Sequence, residues 1–382
     1  MNRRHRFFYR LLYHPVRLFL KLKFGYRFQK AENLPENYIV LSNHATDYDP
    51  ILVAMSFKRQ MYFVASEHIT RWRIAYPLLK FTFAPIVRYK GTVAASTVMD
   101  ILRKTKKGES ICMFAEGVRT WDGVTCPIHP STVQLIKASR CGLVTYRLSG
   151  GYLTSPMWAT TKKLRRGPLS GAPVRVYTKE EIRAMSEEEL AAAINGDLYE
   201  DAYDRQRTAP KAYKGSHLAE GLEQFLFLCP HCRAHNSFRT ENSRVICSSC
   251  EKEVTYNEYG FLENAPFETV REFSLWQRAE TERDAREGRT YTADSVSVSK
   301  IVKHQSESFT EGELQMSPTS LRCGELFVEM KDIPHMAMHG TQALVFAADG
   351  EYYEILPKNR DNMLRFLWYY DAVQALKQAQ TV

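Results

Sequence analysis

His44 and Asp49 stand five residues apart in "IVLSNHATDYDP" (39–50), where an apolar run stops abruptly at polar residues. A histidine titrates near neutrality and can take the proton of an attacking hydroxyl. An acid on its other ring nitrogen would fix the tautomer and stabilise the imidazolium that forms. A second polar cluster, "EGVRT" (116–120), follows the apolar "SICMFA" (110–115). There Gly117 lets backbone approach a ligand closely, and Arg119 offers a fork matched to phosphate oxygens. No nearby serine or cysteine has the surroundings of an attacking nucleophile, so direct attack by a substrate hydroxyl is preferred. Taken alone, His-x4-Asp arises often by chance and "EGVRT" reads equally as a polar turn. Asp47 reads as a turn acid, and Asn43 as a cap or a support for the His44 loop. Two such clusters at two strand ends point to a transferase or hydrolase acting on a phosphate-bearing substrate.

Four cysteines carry a different chemistry. Cys229, Cys232, Cys247 and Cys250 form C-x2-C, fourteen residues, C-x2-C. Each C-x2-C turn places two thiolates on one side of a tight knuckle, and two knuckles supply the four tetrahedral sulfurs that Zn²⁺ accepts. An iron–sulfur cluster or a redox dithiol is the alternative. With four thiolates closing the shell, the predicted role is structural, and His231 and His235 read as bystanders. The other four cysteines are scattered. Without an export signal they read as reduced thiols rather than disulfides.

The elements that must position these residues alternate as strand and helix over the first 180 residues. "YIVLS" (38–42), "MYFVAS" (61–66), "SICMFA" (110–115) and "GLVTYRL" (142–148) read as strands. Helices are expected at 50–58, 92–108 and 130–140, and one or two more within 178–207, with Ser186 and Glu189 forming a capping box. This is the pattern of an α/β sheet, whose ligands gather beyond the carboxyl ends of the strands. After Cys250 the runs are short and alternating and end in a helix over 359–378. That predicts a small curled antiparallel sheet closed by the helix.

The chain has 382 residues, 44% apolar and 25% charged, and a net charge of +9. It is long enough for two or three domains and is not globally disordered. Nine Lys or Arg and no acid lie between Met1 and Lys30, interleaved with "FFY", "LLY" and "LFL". This composition suits an anionic bilayer surface. A helix docked on its own domain and an arm for nucleic acid are the alternatives, the latter disfavoured. Arg10 and Arg17 interrupt the segment as a membrane span. The expectation is a cytoplasmic protein, peripheral on the inner face of a membrane.

The strand-end clusters together resemble the glycerol-phosphate and lysophosphatidic acid (1-acylglycerol-3-phosphate) acyltransferase family. Its first motif, Asn-His-x4-Asp, is matched by "NHATDYD". Its second, an arginine followed by a glycine, is matched by "IVRYKG" with Arg88 and Gly91. Its third, Glu-Gly-Thr-Arg-Ser, is matched by "EGVRT". The resemblance covers roughly residues 30–180. It implies acyl transfer from an acyl-thioester, of coenzyme A or acyl carrier protein, to the free hydroxyl of a lysophospholipid. His44 would be the general base, Asp49 its partner, and Arg88, Glu116, Gly117, Arg119 and Thr120 the substrate-phosphate region. Val118 departs from the third motif. Thr145 stands where the fourth motif carries a proline, and Arg147 adds a charge. The resemblance implies an acyltransferase-type mixed α/β sheet flanked by helices, while the small zinc ribbon and the mainly-β C-terminal domain closed by a helix lie outside the family pattern. Its divisions are a basic membrane-surface segment (1–30), an acyltransferase-like domain (31–210), a zinc-ribbon-like element (211–258) and a β domain (259–382) that looks like a pleckstrin-homology domain. The competing expectation is a zinc-ribbon interaction or scaffold protein with a non-catalytic acyltransferase-like domain.

Overall fold

The structure is a computed structural model that describes residues 3–66, 69–70, 75–88, 95–161, 163–302 and 305–381. The chain divides into two compact units: Met1–Met157 with Lys163–Gly215, and Trp158–Lys162 with Ser216–Val382.

The first unit begins with helix α1 (Arg3–Phe24) and the short strand β1 (Arg27–Phe28). Strand β2 (Tyr38–Ser42), helix α2 (Asp49–Ala54), strand β3 (Tyr62–Ser66), helix α3 (Ala75–Thr82) and strand β4 (Ile86–Arg88) follow. Next come helix α4 (Ala95–Lys106), strand β5 (Ile111–Phe114), helix α5 (Pro130–Ser139), strand β6 (Gly142–Ser149) and the one-turn helix α6 (Gly151–Thr154). Strand β7 (Ser170–Tyr177) and helices α7 (Lys179–Ala184), α8 (Glu187–Leu198) and α9 (Ala202–Thr208) complete it.

The sheet order is β1-β7-β6-β2-β5-β3-β4. Every residue of β2 is buried, because the strand is central and covered on both faces. Tyr38 and Val40 join Leu52, Val53 and Phe57 in one core layer, while Ile39 and Leu41 join Ile101, Ile136 and Ile194 in the other. That alternation is the two-residue period of a strand. β2 pairs in parallel with β5 and β6, and β3 pairs in parallel with β5 and β4. The carboxyl ends of these strands therefore share one edge, while β7 runs antiparallel to β6.

The acidic stretch 178–207 forms three helices rather than one or two. The breaks occur because Ser186 and Asp201 turn their side chains onto backbone N–H groups of the next helix, at Glu189 and at Tyr203 and Asp204. Such caps stabilise a new start over continuation. Ser186 and Glu189 form the expected capping box, and Thr178 and Glu181 form another. One face of α1 docks on the unit: the Tyr9 hydroxyl lies 2.7 Å from both the Ala54 and Phe57 carbonyls, and Tyr13 donates to Met55 at 2.8 Å. Ala54 and Met55 close α2, where carbonyls lack intrahelical partners, and Phe57 lies in the turn that follows. Phe7, Leu11, Leu18 and Leu22 of α1 stay exposed.

The second unit contains a sheet of β8 (Phe238–Glu241), β9 (Arg244–Cys247), β10 (Glu253–Tyr256) and β11 (Leu262–Glu263). Helix α10 (Val270–Arg286) leads to a seven-stranded antiparallel sheet: β12 (Tyr291–Val302), β13 (Gln305–Met316), β14 (Ser320–Cys323), β15 (Leu326–Glu329), β16 (Met336–His339), β17 (Ala343–Ala348) and β18 (Glu351–Pro357). Helix α11 (Leu364–Thr381) closes it. The sequence reading did not anticipate α10, since its buried face includes Ser274, Gln277, Thr281 and Asp284 and so blurs the apolar period. Charge divides sharply along the chain. Residues 1–215 hold 35 Lys and Arg against 18 Asp and Glu, and residues 216–382 hold 17 against 25.

Candidate active site and metal centre

His44 leaves the end of β2 on a loop that Asp49 organises. The Asp49 side chain is fully buried, and its Oδ2 lies 2.8 Å from His44 Nδ1. The same oxygen accepts the backbone N–H groups of Ala45 at 2.6 Å and Thr46 at 2.9 Å, and Oδ1 accepts the Thr46 hydroxyl at 2.5 Å. Four donors on one carboxylate match its ionised form, which only accepts. With Nδ1–H given to Asp49, a neutral imidazole presents Nε2 as its free acceptor. The ring lies on Phe114, with centroids 4.3 Å apart and planes at 23°. His44 keeps 20% of its side chain exposed, so it can meet a ligand.

Asn43 locks the other end of this loop. Its side-chain amide donates to Leu148 O and accepts from Leu148 N–H, both at 2.8 Å, tying the end of β2 to β6. Gly150 then makes a close approach: at φ +85°, a Cβ there would meet Pro168 O at 2.1 Å.

The loop after β5 brings "EGVRT" beside His44, as the sheet order requires. Gly117 has φ +70°, which favours glycine, and a Cβ built on it would lie 3.6 Å from Arg88 Nη1. Arg88 is exposed at the end of β4; Lys90 and Gly91 lie outside the described residues. Arg119 is largely buried and meets the exposed Asp47 at 3.4 Å. Glu116 and Thr120 face inward. Glu116 accepts from His44 N–H at 2.6 Å and from Cys126 N–H at 3.0 Å. Thr120 N–H donates to His44 O at 2.9 Å, and its hydroxyl donates to Val124 O at 2.8 Å. A cavity of about 10 Å³, the size of one water, is lined by His44, Glu116, Thr120, Gly150, Tyr152 and Glu200. Phe114 and Glu200 carried no sequence signal, because their neighbours come from distant segments.

Burial pushes the Glu116 carboxyl up to about 8, against the pull of its two backbone donors. A carboxyl whose folded value exceeds its unfolded value stabilises the fold fully below the unfolded value and loses that contribution as pH rises through the folded one. The wild type is thus expected to lose stability from about pH 5 to pH 8 relative to Glu116→Gln. Parallel urea titrations would measure this, and parallel slopes would refute it.

Thr145, at the position where the family pattern carries a proline, is buried and donates to Asp197 Oδ2 at 2.8 Å. Arg147 Nε donates to Asp197 O at 2.9 Å, and the Tyr177 hydroxyl donates to the same carboxylate at 2.7 Å. The two residues therefore anchor α8 to β6.

The four cysteines converge in the second unit, with their sulfurs all within 4.8 Å of one another. Cys229 and Cys250 Sγ are 3.8 Å apart, and Cys232 and Cys247 Sγ are 3.7 Å apart. A tetrahedron with Zn–S bonds of about 2.3 Å has edges of about 3.8 Å, whereas a disulfide requires about 2.05 Å. The two knuckles are alike: Arg233 and Glu251, one residue past each C-x2-C, have φ +64° and +55°. The residues fit a structural zinc ion, and the described histidines contribute no further ligand to the group.

Residues 25–149 match the acyltransferase family model. Among solved structures, the chain is similar to the 1-acyl-sn-glycerophosphate (LPA) acyltransferase PlsC from Thermotoga maritima. That likeness has 17% identity, covers 50% of this chain and 78% of that one, and has a TM-score of 0.40. It is also similar to the N-terminal PH domain of human ARAP2, with 7% identity over 23% of this chain and 83% of that one, and a TM-score of 0.19. No curated protein sequence matches the chain. The family match contains both the His44 loop and the "EGVRT" loop, and it supports acyl transfer as the general chemistry of the segment.

Proposed function

We propose that the first unit is an O-acyltransferase that moves a fatty acyl group from an acyl-thioester to the free hydroxyl of a lysophospholipid such as 1-acylglycerol-3-phosphate. The thioester is that of coenzyme A or an acyl carrier protein. The observation that carries this reading is the 2.8 Å pairing of His44 with a saturated, buried Asp49, beside a loop bearing Arg119. In the reaction, His44 Nε2 takes the proton of the acceptor hydroxyl as its oxygen attacks the thioester carbonyl. The C–S bond then breaks, and the imidazolium returns the proton to the leaving thiolate. Asp49 holds the ring and stabilises the imidazolium. Arg119 exchanges the exposed Asp47 for the acceptor phosphate, and Arg88 adds a second cation at the mouth.

The lipid substrate fits a membrane-surface role for α1. Its exposed leucines and phenylalanine accompany basic residues with no acid. The apolar surface continues onto α3 through Phe8 and Phe81, with Arg4 over the Phe81 ring at 4.0 Å. Among the described residues no helix is long and apolar enough to cross a membrane, and the reading is peripheral attachment. The acidic balance of residues 216–382 is less suited to anionic lipid or nucleic acid. Zinc on the four cysteines serves folding there.

The test is product identification by mass spectrometry, using purified protein, vesicles, acyl-CoA and acyl-carrier donors, and several lysolipids. An acylated lysophosphatidic acid formed faster on anionic than on neutral vesicles is expected. No transfer with any donor–acceptor pair would remove the reading.

A further inference from the structure

The loop that carries "EGVRT" grips the His44 backbone from both sides. Glu116 Oε1 takes the His44 N–H at 2.6 Å, and Thr120 N–H supplies the His44 carbonyl at 2.9 Å. One residue earlier, Ala115 N–H donates to Ser42 O at 3.3 Å. The other Glu116 oxygen reaches the Cys126 N–H at 3.0 Å, so a single carboxyl joins three chain segments around the histidine. Both oxygens are turned to backbone donors. The Thr120 hydroxyl is likewise engaged, donating to Val124 O and accepting the Gly123 N–H at 3.1 Å. Of the residues that the resemblance groups around the phosphate, these two are occupied around the histidine loop, whereas Arg119 meets the exposed Asp47 and Arg88 is exposed at the end of β4.

We infer that Glu116 is a positioning residue for His44, not a ligand of the acceptor phosphate, and that it acts by fixing the histidine backbone so that Nδ1 stays on Asp49 and Nε2 faces the substrate. Two bonds to a backbone N–H and C=O determine where the Cα–Cβ vector points, and a small error there is multiplied at the far ring nitrogen. A misplacement of about 1 Å is enough to cost about 100-fold in rate. Glutamine cannot replace the carboxyl, because its amide NH₂ must face one of the two backbone N–H groups. Aspartate keeps a carboxyl but falls short by one methylene.

This inference rests on the acyl-transfer reading, and the experiment separates the two. Steady-state kinetics on Glu116→Gln, Glu116→Asp and Arg119→Ala, varying the lysophospholipid, should give kcat lowered by about 10- to 100-fold in both Glu116 variants. Their acceptor KM should stay within about threefold of the wild type. Arg119→Ala should show the opposite split, a raised KM with kcat largely kept. In parallel, imidazole ¹⁵N–¹H spectra should show the hydrogen-bonded Nδ1–H of His44 in the wild type and its weakening in the Glu116 variants. That readout needs no turnover, so an inactive wild type would count against the function while the spectra still decide the positioning role. A raised KM with intact kcat in Glu116→Gln, or an unchanged Nδ1–H signal, would overturn the inference. If Glu116→Gln fails to fold, Glu116→Asp supplies the same comparison, since a role that needed only a carboxyl, and not its reach, would survive that change.

Discussion

Replacing His44 with alanine is expected to lower kcat/KM for acyl transfer by about 10²- to 10⁴-fold, the range of a positioned general base. The fold should survive. The ring is one-fifth exposed and packs against a single described aromatic neighbour, Phe114. The bonds that shape its loop run through the His44 backbone, Asn43 and Asp49, all of which the variant keeps. The loss should therefore fall on turnover, with melting temperature and vesicle binding close to the wild type. Initial rates measured over a range of donor and acceptor concentrations check this. A loss of less than about tenfold would mean that the proton is taken by another group.

Removing the metal from the second unit should have the other large effect. Structural zinc contributes about 10–16 kcal/mol of apparent folding free energy in zinc-finger peptides near neutral pH, comparable with the whole stability of a typical domain. The loss should spread beyond the two knuckles. Phe227 and Leu228 N–H groups donate to the buried Gln277 of α10 at 2.7 and 3.0 Å, immediately before Cys229. Asn236, just past the first knuckle, accepts Asn362 N–H at 3.1 Å, close to the start of α11. A strong chelator, or Cys247→Ser, is thus expected to remove hydrogen-exchange protection from β8 to β10 and from much of α10. Exchange mass spectrometry with metal analysis would show it. One zinc per chain is expected in the wild type, and unchanged exchange after metal loss would refute the structural role.

How legible was this in the sequence? The strands were, because buried parallel strands are short continuous apolar runs, as Tyr38–Ser42 and Ile111–Phe114 are. The zinc spacing was too, since a knuckle is a local object. His44 and Asp49 were readable as a pair for the same reason: five residues and one turn connect them. What the sequence hid was non-local. Nothing in "EGVRT" indicates that Glu116 turns inward to a backbone N–H 72 positions away. Nothing in "GLVTYRL" shows that Thr145 holds Asp197. Helix α10 was missed because its partner surface accepts Gln277 and Thr281 in place of leucines.

Asp49 has a consequence for how this site can change. The same carboxylate that holds His44 also gathers Ala45 and Thr46 into the turn and sits at the first residue of α2. Shape and reactivity are therefore vested in one side chain and cannot be altered independently. Small carboxylates added to an Asp49→Ala protein would find a collapsed loop rather than a vacated slot, and rescue should fail. New acceptor specificity would have to be reached through Asp47, Arg88 and Arg119 at the rim, leaving the centre as it is.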